Sequence, residues 1–245
     1  MFNFFVSSKP IDGKYYIDGK DFFHIKNVLR MKEGDEILVS DGVSGNLCVI
    51  ESFFDDKVTA RITEPDFMST NLPIEIVLFQ ALPKSDKLEL IIQKAVELGA
   101  NKIVPVQTAR CVVKIEEKKK ADKTARWQAI AESAGKQSKR CLIPTVLSPL
   151  SFKQALELFD DLDLVILPYE NHLGMQSTLE SLSLIKKGMK VGVFIGPEGG
   201  FEQSEVDLAQ QKGAKTISLG KRILRAETAA ITTLSMLMLF AEMKL

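Results

Sequence analysis

The stretch IEIVLFQALPKSDKLELIIQKAVELGANKIVPVQT, residues 74–108, decides the fold of most of this chain. It begins with Ile74–Leu82, an almost continuous apolar run typical of a strand that is buried on both faces. Apolar residues then recur at helical spacing from about Ser85 to Leu98, and Gly99 provides a helix stop. A second β-prone run follows at Lys102–Thr108. Strand, helix and strand in this order predict a βαβ unit with parallel strands.

The alternation of strands and helices continues to the end of the sequence. The pattern predicts a long helix at roughly Ala121–Gln137 and a final helix at Glu227 to about Lys244. Three further strands are predicted, at Asp163–Glu170, Lys190–Gly196 and Ala214–Gly220. Residues 71–245 are therefore expected to form an α/β domain, with a parallel sheet covered by helices on both faces.

Residues 1–70 have a different pattern, typical of a small β domain. Short β-prone runs separated by Gly and Asp occur at Glu36–Gly42, Asn46–Phe54 and Lys57–Glu64. One short amphipathic helix is predicted at Asp21–Arg30, with Asp21 as a plausible N-cap. The stretch Pro65–Pro73, with two prolines, Asn71 and a Ser-Thr pair, is predicted to link the two domains.

Charge is balanced overall but unevenly distributed. The 245 residues include 45% hydrophobic and 26% charged residues, and 32 Lys and Arg cancel 32 Asp and Glu. Residues 1–70 carry eight basic and twelve acidic residues, whereas Lys102–Arg140 carries eleven basic and four acidic ones. The composition predicts an ordinary globular protein, and the basic segment is a candidate surface for a polyanion.

The numbers of cysteines and histidines argue against a disulfide-stabilised protein and against a zinc protein. Three widely spaced cysteines, at 48, 111 and 141, give no disulfide framework, and His24 and His172 are too few to complete a zinc site. The longest apolar run, Leu234–Ala241, is shorter than a membrane span. We therefore expect a protein of the reducing cytoplasm, with no metal and no membrane contact.

Three loops are candidates for a ligand site, because ligands of parallel α/β sheets bind beyond the carboxyl ends of the strands. These loops are Leu167–Glu170, Gly196–Gly200 and Leu219–Glu227. The second has three glycines and a proline in five residues, which would let backbone approach a ligand, and Ser204 with Asp207 is a candidate capping box for the next helix. It matches neither a P-loop nor GxGxxG, and taken alone it is equally typical of a tight turn.

The third loop is strongly basic, and two carboxylates accompany it. Lys221, Arg222 and Arg225 crowd one predicted strand end, as a site for a polyanion or a nucleobase would require, although solvated surface charge is the simpler explanation for Lys221. Glu198 and Glu227 could each orient an arginine, accept a ligand hydrogen bond or act as a general base. A surface role is the ordinary expectation for any single glutamate.

Two motifs, IGPEGGFEQSE at Ile195–Glu205 and LGKRILRAETA at Leu219–Ala229, resemble the C-terminal signature of the RsmE family. These are SPOUT-class methyltransferases that modify N3 of a uridine in 16S ribosomal RNA of the small subunit. The resemblance covers nearly the whole chain, because His24–Asp35, Lys87–Arg110 and Arg126–Val146 are also similar to the family's motifs.

The resemblance implies a fold that periodicity does not predict. It implies a PUA-like N-terminal domain at 1–70 and a SPOUT domain at 71–245, with a C-terminal trefoil knot that binds S-adenosylmethionine. General topology rules treat knots as nearly absent, so the strand and helix pattern alone favours a doubly wound sheet. The cofactor residues that the resemblance implies are Leu167, Pro168, Gly196, Pro197, Gly199, Gly200, Leu219, Gly220, Ile223, Leu224 and Thr228.

The chemistry implied by the resemblance requires no protein nucleophile. Methyl transfer to uracil N3 needs positioning, loss of the imide proton and stabilisation of the developing charge. Arg225 is the first choice for stabilising negative charge on the uracil carbonyls. Glu198 or Glu227 would take the proton or hold Arg225, and the sequence does not choose between them.

The expected partners are 16S ribosomal RNA, within the assembled small subunit, and a second copy of the chain. Arg126 is equally well explained by an ion pair with Glu132 or another neighbour. The final helix would fit either a homodimer interface or the core of one chain. The candidate phosphate contacts are Arg30, Arg110, Arg126, Lys136, Lys139 and Arg140.

Two functions from other classes stay open at this stage. One is a non-catalytic RNA-binding or ribosome-assembly protein with a degenerate cofactor site, which the intact second and third loops argue against. The other is a nucleotide-binding enzyme that uses the glycine-rich loop for phosphate. Binding of S-adenosylhomocysteine but not ATP would exclude the nucleotide-binding function.

Overall fold

The computed structural model describes residues 1–6, 8–169 and 174–245, so Glu170 and His172 lie outside the described residues. The chain divides into two compact units. The first comprises Met1–Asn71 together with Gly135–Ile143, and the second comprises Leu72–Ala134 and Pro144–Leu245.

The first unit is built on a five-stranded sheet of order β1-β3-β4-β5-β2. The longest strands pair as antiparallel neighbours, and the short β1 pairs with β3 in parallel. Their apolar faces enclose a core that includes Phe4, Tyr15, Ile37, Ile50 and Val58. The strands are β1 (Asn3–Phe5), β2 (Lys14–Ile17), β3 (Glu36–Ser40), β4 (Gly45–Phe54) and β5 (Lys57–Met68).

A helical segment lies between β2 and β3, as the sequence predicts, but its geometry changes midway. The α-helix α1 (Gly19–Phe23) continues directly into a π-helical turn, His24–Val28. Phe22 and Ile25 are the buried residues of this segment and join the core of the first unit. Arg30, just after the turn, has a left-handed backbone with a φ of 53°.

The segment Gly135–Ile143 contacts residues next to the end of β5. The backbone N–H of Cys141 donates a 2.8 Å hydrogen bond to Oγ1 of Thr70, and its Sγ lies 3.3 Å from the carbonyl oxygen of Met68. Arg140 is 3% exposed, and burial lowers the pKa of its guanidinium to about 10.

The second unit confirms the predicted α/β class. Its sheet has the order β12-β10-β11-β6-β7-β8, all neighbours are parallel, and β9 pairs separately with β7. The central strands are apolar because both of their faces are covered. The strands are β6 (Glu75–Ala81), β7 (Lys102–Gln107), β8 (Thr145–Val146), β9 (Leu150–Ser151), β10 (Leu164–Pro168), β11 (Lys190–Ile195) and β12 (Lys215–Ile217).

Helices pack on both faces of this sheet, as predicted. One core cluster combines sheet residues with α2, α3 and α7, and the other combines them with α4 and α6. The second cluster centres on Phe194, whose ring lies 5.1 Å from the ring of Phe201 and 5.6 Å from that of Phe79. The helices are α2 (Lys87–Glu97), α3 (Glu117–Gln137), α4 (Phe152–Glu157), α5 (Gln176–Ser183), α6 (Gln203–Gln211) and α7 (Ala226–Lys244).

The final helix, α7, contacts α2 and β11. Its buried residues include Ala230, Leu234 and Leu237, which belong to the core cluster, while Leu239 and Met243 stay exposed. It contains an 18-residue window with a mean hydropathy of 1.2, so its 19 residues are also long and apolar enough to cross a membrane, a property that the core helices of soluble proteins share.

Some local predictions were wrong or incomplete. β5 runs on to Met68, so the first part of the predicted linker at Pro65–Pro73 is strand. The capping box of α6 consists of Glu202 and Glu205, because the helix begins one residue before the predicted cap at Ser204. The short strands β1 and β2 and the helices α4 and α5 carry too few periodic residues for the sequence pattern to predict them.

Candidate functional site

The ends of neighbouring parallel strands meet at one pocket of about 140 Å³ in the second unit. The residues that follow β10, β11 and β12 form it, together with the first residues of α7. This is the edge of the sheet where the three candidate loops were expected to converge. The lining residues are Pro168, Tyr169, Ile195, Gly196, Pro197, Glu198, Gly200, Phe201, Ser218, Leu219, Gly220, Lys221, Arg222, Ile223, Leu224, Ala226 and Ala229.

The loop after β11 is a tight turn that presents backbone to the pocket. The N–H of Gly200 donates a 2.9 Å hydrogen bond to the carbonyl of Pro197, and Gly200 has a left-handed φ of 66°. A Cβ at Gly196 would lie 3.2 Å from two ring carbons of Phe201, so the close packing there favours glycine. The loop is therefore both a tight turn and a wall of the pocket.

A threonine of α5 forms hydrogen bonds with the backbone at the start of the loop after β12. The Oγ1 of Thr178 donates to the carbonyl of Ser218 at 2.7 Å and accepts from the N–H of Ser218 at 3.1 Å. Thr178 is 1% exposed, so this pair of hydrogen bonds is shielded from water. Gly220 then turns the chain with a φ of 102°, which side-chain-bearing residues rarely adopt.

The pocket combines these backbone groups with apolar side chains. Leu219 and Leu224 are partly buried, while Ile223 is 85% exposed although it lines the pocket. An aliphatic side chain this exposed gains free energy when a flat apolar ligand covers it. The arrangement suits a heterocycle that is held by its edges on backbone and by its faces on aliphatic carbon.

A cluster of one lysine and two glutamates lies at the same edge. Nζ of Lys87 lies 3.2 Å from Oε1 of Glu198 and 3.4 Å from Oε2 of Glu227. The backbone N–H of Lys84 lies 3.1 and 3.4 Å from the two carboxylate oxygens of Glu198. Three sequence-distant elements, the start of α2, the turn after β11 and the start of α7, therefore share one charge cluster.

The contacts in this cluster shift two pKa values. Burial alone would raise the pKa of Glu198, but hydrogen bonds from its own N–H, the Lys84 N–H and Lys87 outweigh burial and hold it below the usual value. The hydrogen bond to Glu198, opposed by burial and supported by Glu227, raises the pKa of Lys87. Both groups are consequently charged at neutral pH, and Glu198 loses its ionised form only as the pH falls through its lowered pKa.

Most of the predicted cofactor residues converge, as does Glu198. Eight of the eleven line the pocket, and these are Pro168, Gly196, Pro197, Gly200, Leu219, Gly220, Ile223 and Leu224. Three do not. Leu167 is fully buried in the core cluster on one face of the sheet, because neighbouring residues of a strand point to opposite faces. Glu170, the last residue of the first candidate loop, lies outside the described residues.

The other two departures have equally local causes. Gly199 does not line the pocket, and its carbonyl accepts a hydrogen bond from Arg110. Thr228 is exposed, because the helical repeat turns Ala226 and Ala229 of α7 toward the pocket instead. Arg225 is exposed and is the N-cap residue of α7, and Glu227 lies in the first turn of the helix. Neither lines the pocket, but both flank Ala226, which does.

Five of the six predicted phosphate contacts fall into three groups. Arg30 and Lys139 are exposed, with left-handed φ values of 53° and 56°. Lys136 lies 3.3 Å from Asp21, and Arg126 pairs with Glu89 at 2.6 Å, a neighbour other than the Glu132 that the sequence offered. Arg140 is almost fully buried, so this conformation does not present it to a phosphate.

Arg110 also differs from its predicted role. Its Nη1 donates a 2.9 Å hydrogen bond to the carbonyl of Gly199, so it supports the glycine turn rather than standing free. A second support comes from Glu205, which is 7% exposed. Its two carboxylate oxygens accept from the N–H of Ala109 at 2.8 Å and the N–H of Glu202 at 3.0 Å.

Sequence reasoning missed Lys87, Thr178 and Glu205, which act on the site through contacts with distant residues. Lys87 and Glu198 are 111 residues apart, and Thr178 and Ser218 are 40 apart. Only the quoted family motifs, which include Lys87 and Glu205, carry a signal for these positions. Thr178 lies in no motif, and nothing in the sequence singles it out.

We predict that Arg110→Met raises the dissociation constant for the cofactor about fivefold. Losing the hydrogen bond to Gly199 removes about 1 kcal/mol from the turn that forms the pocket wall. Isothermal titration calorimetry with S-adenosylhomocysteine measures the change. Lys139→Met is the matched control, because Lys139 is an exposed cation outside the pocket and should leave cofactor affinity unchanged. Equal affinities in both variants would contradict the supporting role of Arg110.

Comparison with known proteins gives the class that this fold and site define. Residues 70–238 match the model of an RNA methyltransferase domain family, and residues 17–64 match that of an RNA methyltransferase PUA domain. The chain thus combines a methyltransferase domain with a domain type found in RNA methyltransferases.

Individual relatives narrow the class. The chain is 40% identical over 227 residues to ribosomal RNA small subunit methyltransferase E of Bacillus subtilis, covering 90% of this chain and 88% of the relative. A putative methyltransferase of Legionella pneumophila, solved with the bound cofactor S-adenosylmethionine, is 30% identical with a TM-score of 0.77. Ribosomal RNA small subunit methyltransferase E of Neisseria gonorrhoeae, bound to S-adenosylmethionine, is 28% identical with a TM-score of 0.79. Each alignment with a solved structure covers 96% of both chains.

The chain belongs to the ribosomal RNA small subunit methyltransferase E family, and the resemblance to the RsmE family is confirmed. Its α/β unit has the parallel sheet typical of SPOUT methyltransferases, and its N-terminal part matches a PUA domain. The chain is accordingly an RNA methyltransferase by fold and by family.

Proposed function

We propose that this protein transfers the methyl group of S-adenosylmethionine to N3 of one uridine in 16S ribosomal RNA. The observation that carries the proposal is the pocket at the strand ends, where glycine backbone, aliphatic side chains and a lysine–glutamate cluster meet. Relatives that align over 96% of this chain have been solved with S-adenosylmethionine bound, which supports the assignment of the cofactor.

The residues of the pocket fit this cofactor. A Cβ at Gly196 would crowd Phe201, so the packing beneath the turn keeps this wall as bare backbone, where N–H and carbonyl groups can bond an adenine edge. Leu219, Ile223 and Leu224 offer aliphatic contact to the faces of the ring. When bound, S-adenosylmethionine supplies an electrophilic methyl group on a sulfonium centre.

The protein's own groups would position the uracil, stabilise its developing negative charge and accept its proton. The exposed guanidinium of Arg225, at the start of α7, is available to donate hydrogen bonds to the uracil carbonyls as N3 loses its proton. The neighbouring glutamates supply a proton acceptor. No covalent bond between protein and RNA is needed, because N3 itself is the nucleophile.

The RNA itself would be held mainly through phosphates. Arg30 and Lys139 are the best of the predicted contacts, because both are exposed and no ion pair involves either of them among the described residues. Such contacts give affinity that falls with salt but do not select the base. We propose the assembled small subunit as the substrate form.

The finer features of the fold and the assembly are also proposals. We propose that the chain forms a trefoil knot through the loops around the pocket, as the RsmE resemblance implies. Two copies would pair, and the exposed Leu239 and Met243 on α7 supply apolar surface for such a dimer. The domain division at residue 70, cytoplasmic location and the lack of metal and membrane contacts complete the proposal, and the three free cysteines support a reducing compartment.

The decisive experiment incubates the purified protein with methyl-labelled S-adenosylmethionine and unmodified small subunits. The RNA is then digested, and the labelled nucleoside is identified by chromatography and mass spectrometry. Label in N3-methyluridine at a single site is the expected result. Label in another nucleoside would overturn the assignment of the target base. If the protein neither binds S-adenosylhomocysteine nor transfers label, the non-catalytic RNA-binding function is favoured.

A further inference from the structure

The two glutamates of the charge cluster differ in how their oxygens are used. Both oxygens of Glu198 lie near the N–H of Lys84, and Oε1 also accepts from Nζ of Lys87. This carboxylate is therefore held by two donors, one in the loop after β6 and one at the start of α2. A carboxylate whose lone pairs are already engaged is a poor proton acceptor, and its lowered pKa makes it a weaker base.

Glu227 is arranged differently. Its Oε2 is buried without a hydrogen-bond partner among the described residues, and it forms an ion pair with Lys87 at 3.4 Å. Its Oε1 has no hydrogen-bond partner among the described residues and is not one of the buried orphan atoms. The side chain is 16% exposed, which leaves it a narrow opening to a ligand.

The position of Glu227 suits a proton acceptor. It lies in the first turn of α7 and shares Lys87 with Glu198, which lines the pocket. It is also two residues after Arg225, and the intervening Ala226 lines the pocket. Glu227 therefore lies at the border of the pocket, next in the chain to a residue that lines it.

We propose that Glu227 accepts the N3 proton of the target uridine and that Lys87 and the Lys84 N–H hold Glu198 as a positioning residue. The inference rests on the proposed function, because it assigns roles within that same site. The N3–H bond of uridine breaks and the proton passes to Oε1 of Glu227. N3 then bonds to the methyl carbon as the bond of that carbon to sulfur breaks, which leaves a neutral thioether.

Lys87 provides the counter-charge for both glutamates. The charged groups that face one another here are Lys87 from α2, Glu198 from the turn after β11 and Glu227 from α7. Removing the lysine leaves two carboxylates without their cation, which favours protonation of one of them. The acidic limb of the pH–rate profile should consequently move to higher pH in Lys87→Met.

The central test compares Glu227→Gln with Glu198→Gln in single-turnover methylation of small subunits. Losing a general base lowers the rate ~100-fold or more, so the single-turnover rate of Glu227→Gln should be lower than that of the wild type by about that factor. Glu198→Gln should lose distinctly less, because it keeps a polar side chain at the position of the Lys84 N–H. Cofactor binding by calorimetry and the midpoint of thermal unfolding show whether either variant is merely misfolded.

A chemical rescue separates proton removal from structural support. Fluorine at C5 of uracil lowers the pKa of N3, so RNA made with 5-fluorouridine needs less help in losing the proton. We expect this substrate to restore much of the rate of Glu227→Gln, and raising the pH should have the same effect with ordinary RNA. A structural defect would respond to neither change.

Lys94→Met is the matched control for Lys87→Met. Both lysines lie on α2 and form ion pairs, but Lys94 pairs with Glu97 on the same helix, away from the pocket. The control should leave the pH–rate profile unchanged.

The outcomes keep the inference distinct from the function on which it rests. If wild-type protein forms no N3-methyluridine, the proposed function fails. If wild type is active but Glu227→Gln keeps its rate, or if Glu198→Gln alone is rescued by 5-fluorouridine, the assignment of Glu227 is overturned. A profile of Lys87→Met that matches that of Lys94→Met would remove the role of Lys87.

Discussion

Arg225→Met should lower the single-turnover rate of methylation about 100- to 1,000-fold, the cost of removing one donor that stabilises developing negative charge. Arg225 is exposed at the N-terminus of α7, and its side chain forms no ion pair with any residue that the structure describes. Its guanidinium is thus not needed to hold the fold. The negative charge that Arg225 stabilises arises only when the uracil imide loses its proton. The reduction in rate should therefore appear in the chemical step rather than in binding.

Cofactor affinity and stability distinguish this role from a structural one. Because Arg225 does not line the pocket, S-adenosylhomocysteine should bind Arg225→Met with nearly the wild-type dissociation constant. Arg225→Lys keeps the charge but loses the planar fork, so it should recover only part of the rate. Lys212→Met is the control, since Lys212 pairs with Asp160 outside the pocket. A wild-type rate in Arg225→Met would exclude the arginine from the chemistry.

The longer regular elements of the second unit, unlike the short α4 and α5, were predictable because their patterns are local. A buried parallel strand is a short apolar run, and Ile76–Phe79 and Val191–Ile195 match that description. The strand order was not predictable, since pairing such as β12 with β10 joins segments that are distant in sequence. The structure of the basic segment was not predictable either. Residues 135–143 belong to the first unit, and Arg140 is buried.

The candidate site was predicted at the level of loops and missed at the level of contacts. The position of the strand ends brought together the three loops, and the motif resemblance then treated every residue in a motif alike. Elementary periodicity corrects this in two places: Leu167 and Pro168 are neighbours in a strand, so one of them faces away from the pocket, and Thr228 is on a different helix face from Ala226 and Ala229. The roles of Arg110 and Lys87 depend on partners 89 and 111 residues away, which no local pattern encodes.

The third loop offers a test in which conformational strain is the same at two glycines but only one of them borders the pocket. Gly220 has a φ of 102° and Gly213 a φ of 92°, and an added Cβ would meet no atom within 4 Å at either position. Valine at either site therefore introduces backbone strain of about 1–3 kcal/mol, while its Cβ meets no neighbouring atom. Gly220 borders the pocket, whereas Gly213 lies in the turn between α6 and β12.

Gly220→Val should raise the dissociation constant for S-adenosylhomocysteine roughly 10- to 100-fold, because a strain of about 1–3 kcal/mol shifts the loop away from its binding conformation. Gly213→Val should lower the midpoint of thermal unfolding about as much as Gly220→Val does, but it should bind the cofactor with the wild-type dissociation constant. Calorimetric titration and thermal unfolding of both variants separate these effects. If the two variants lose affinity equally, general destabilisation explains the loss, and the backbone conformation at Gly220 has no special part in forming the pocket.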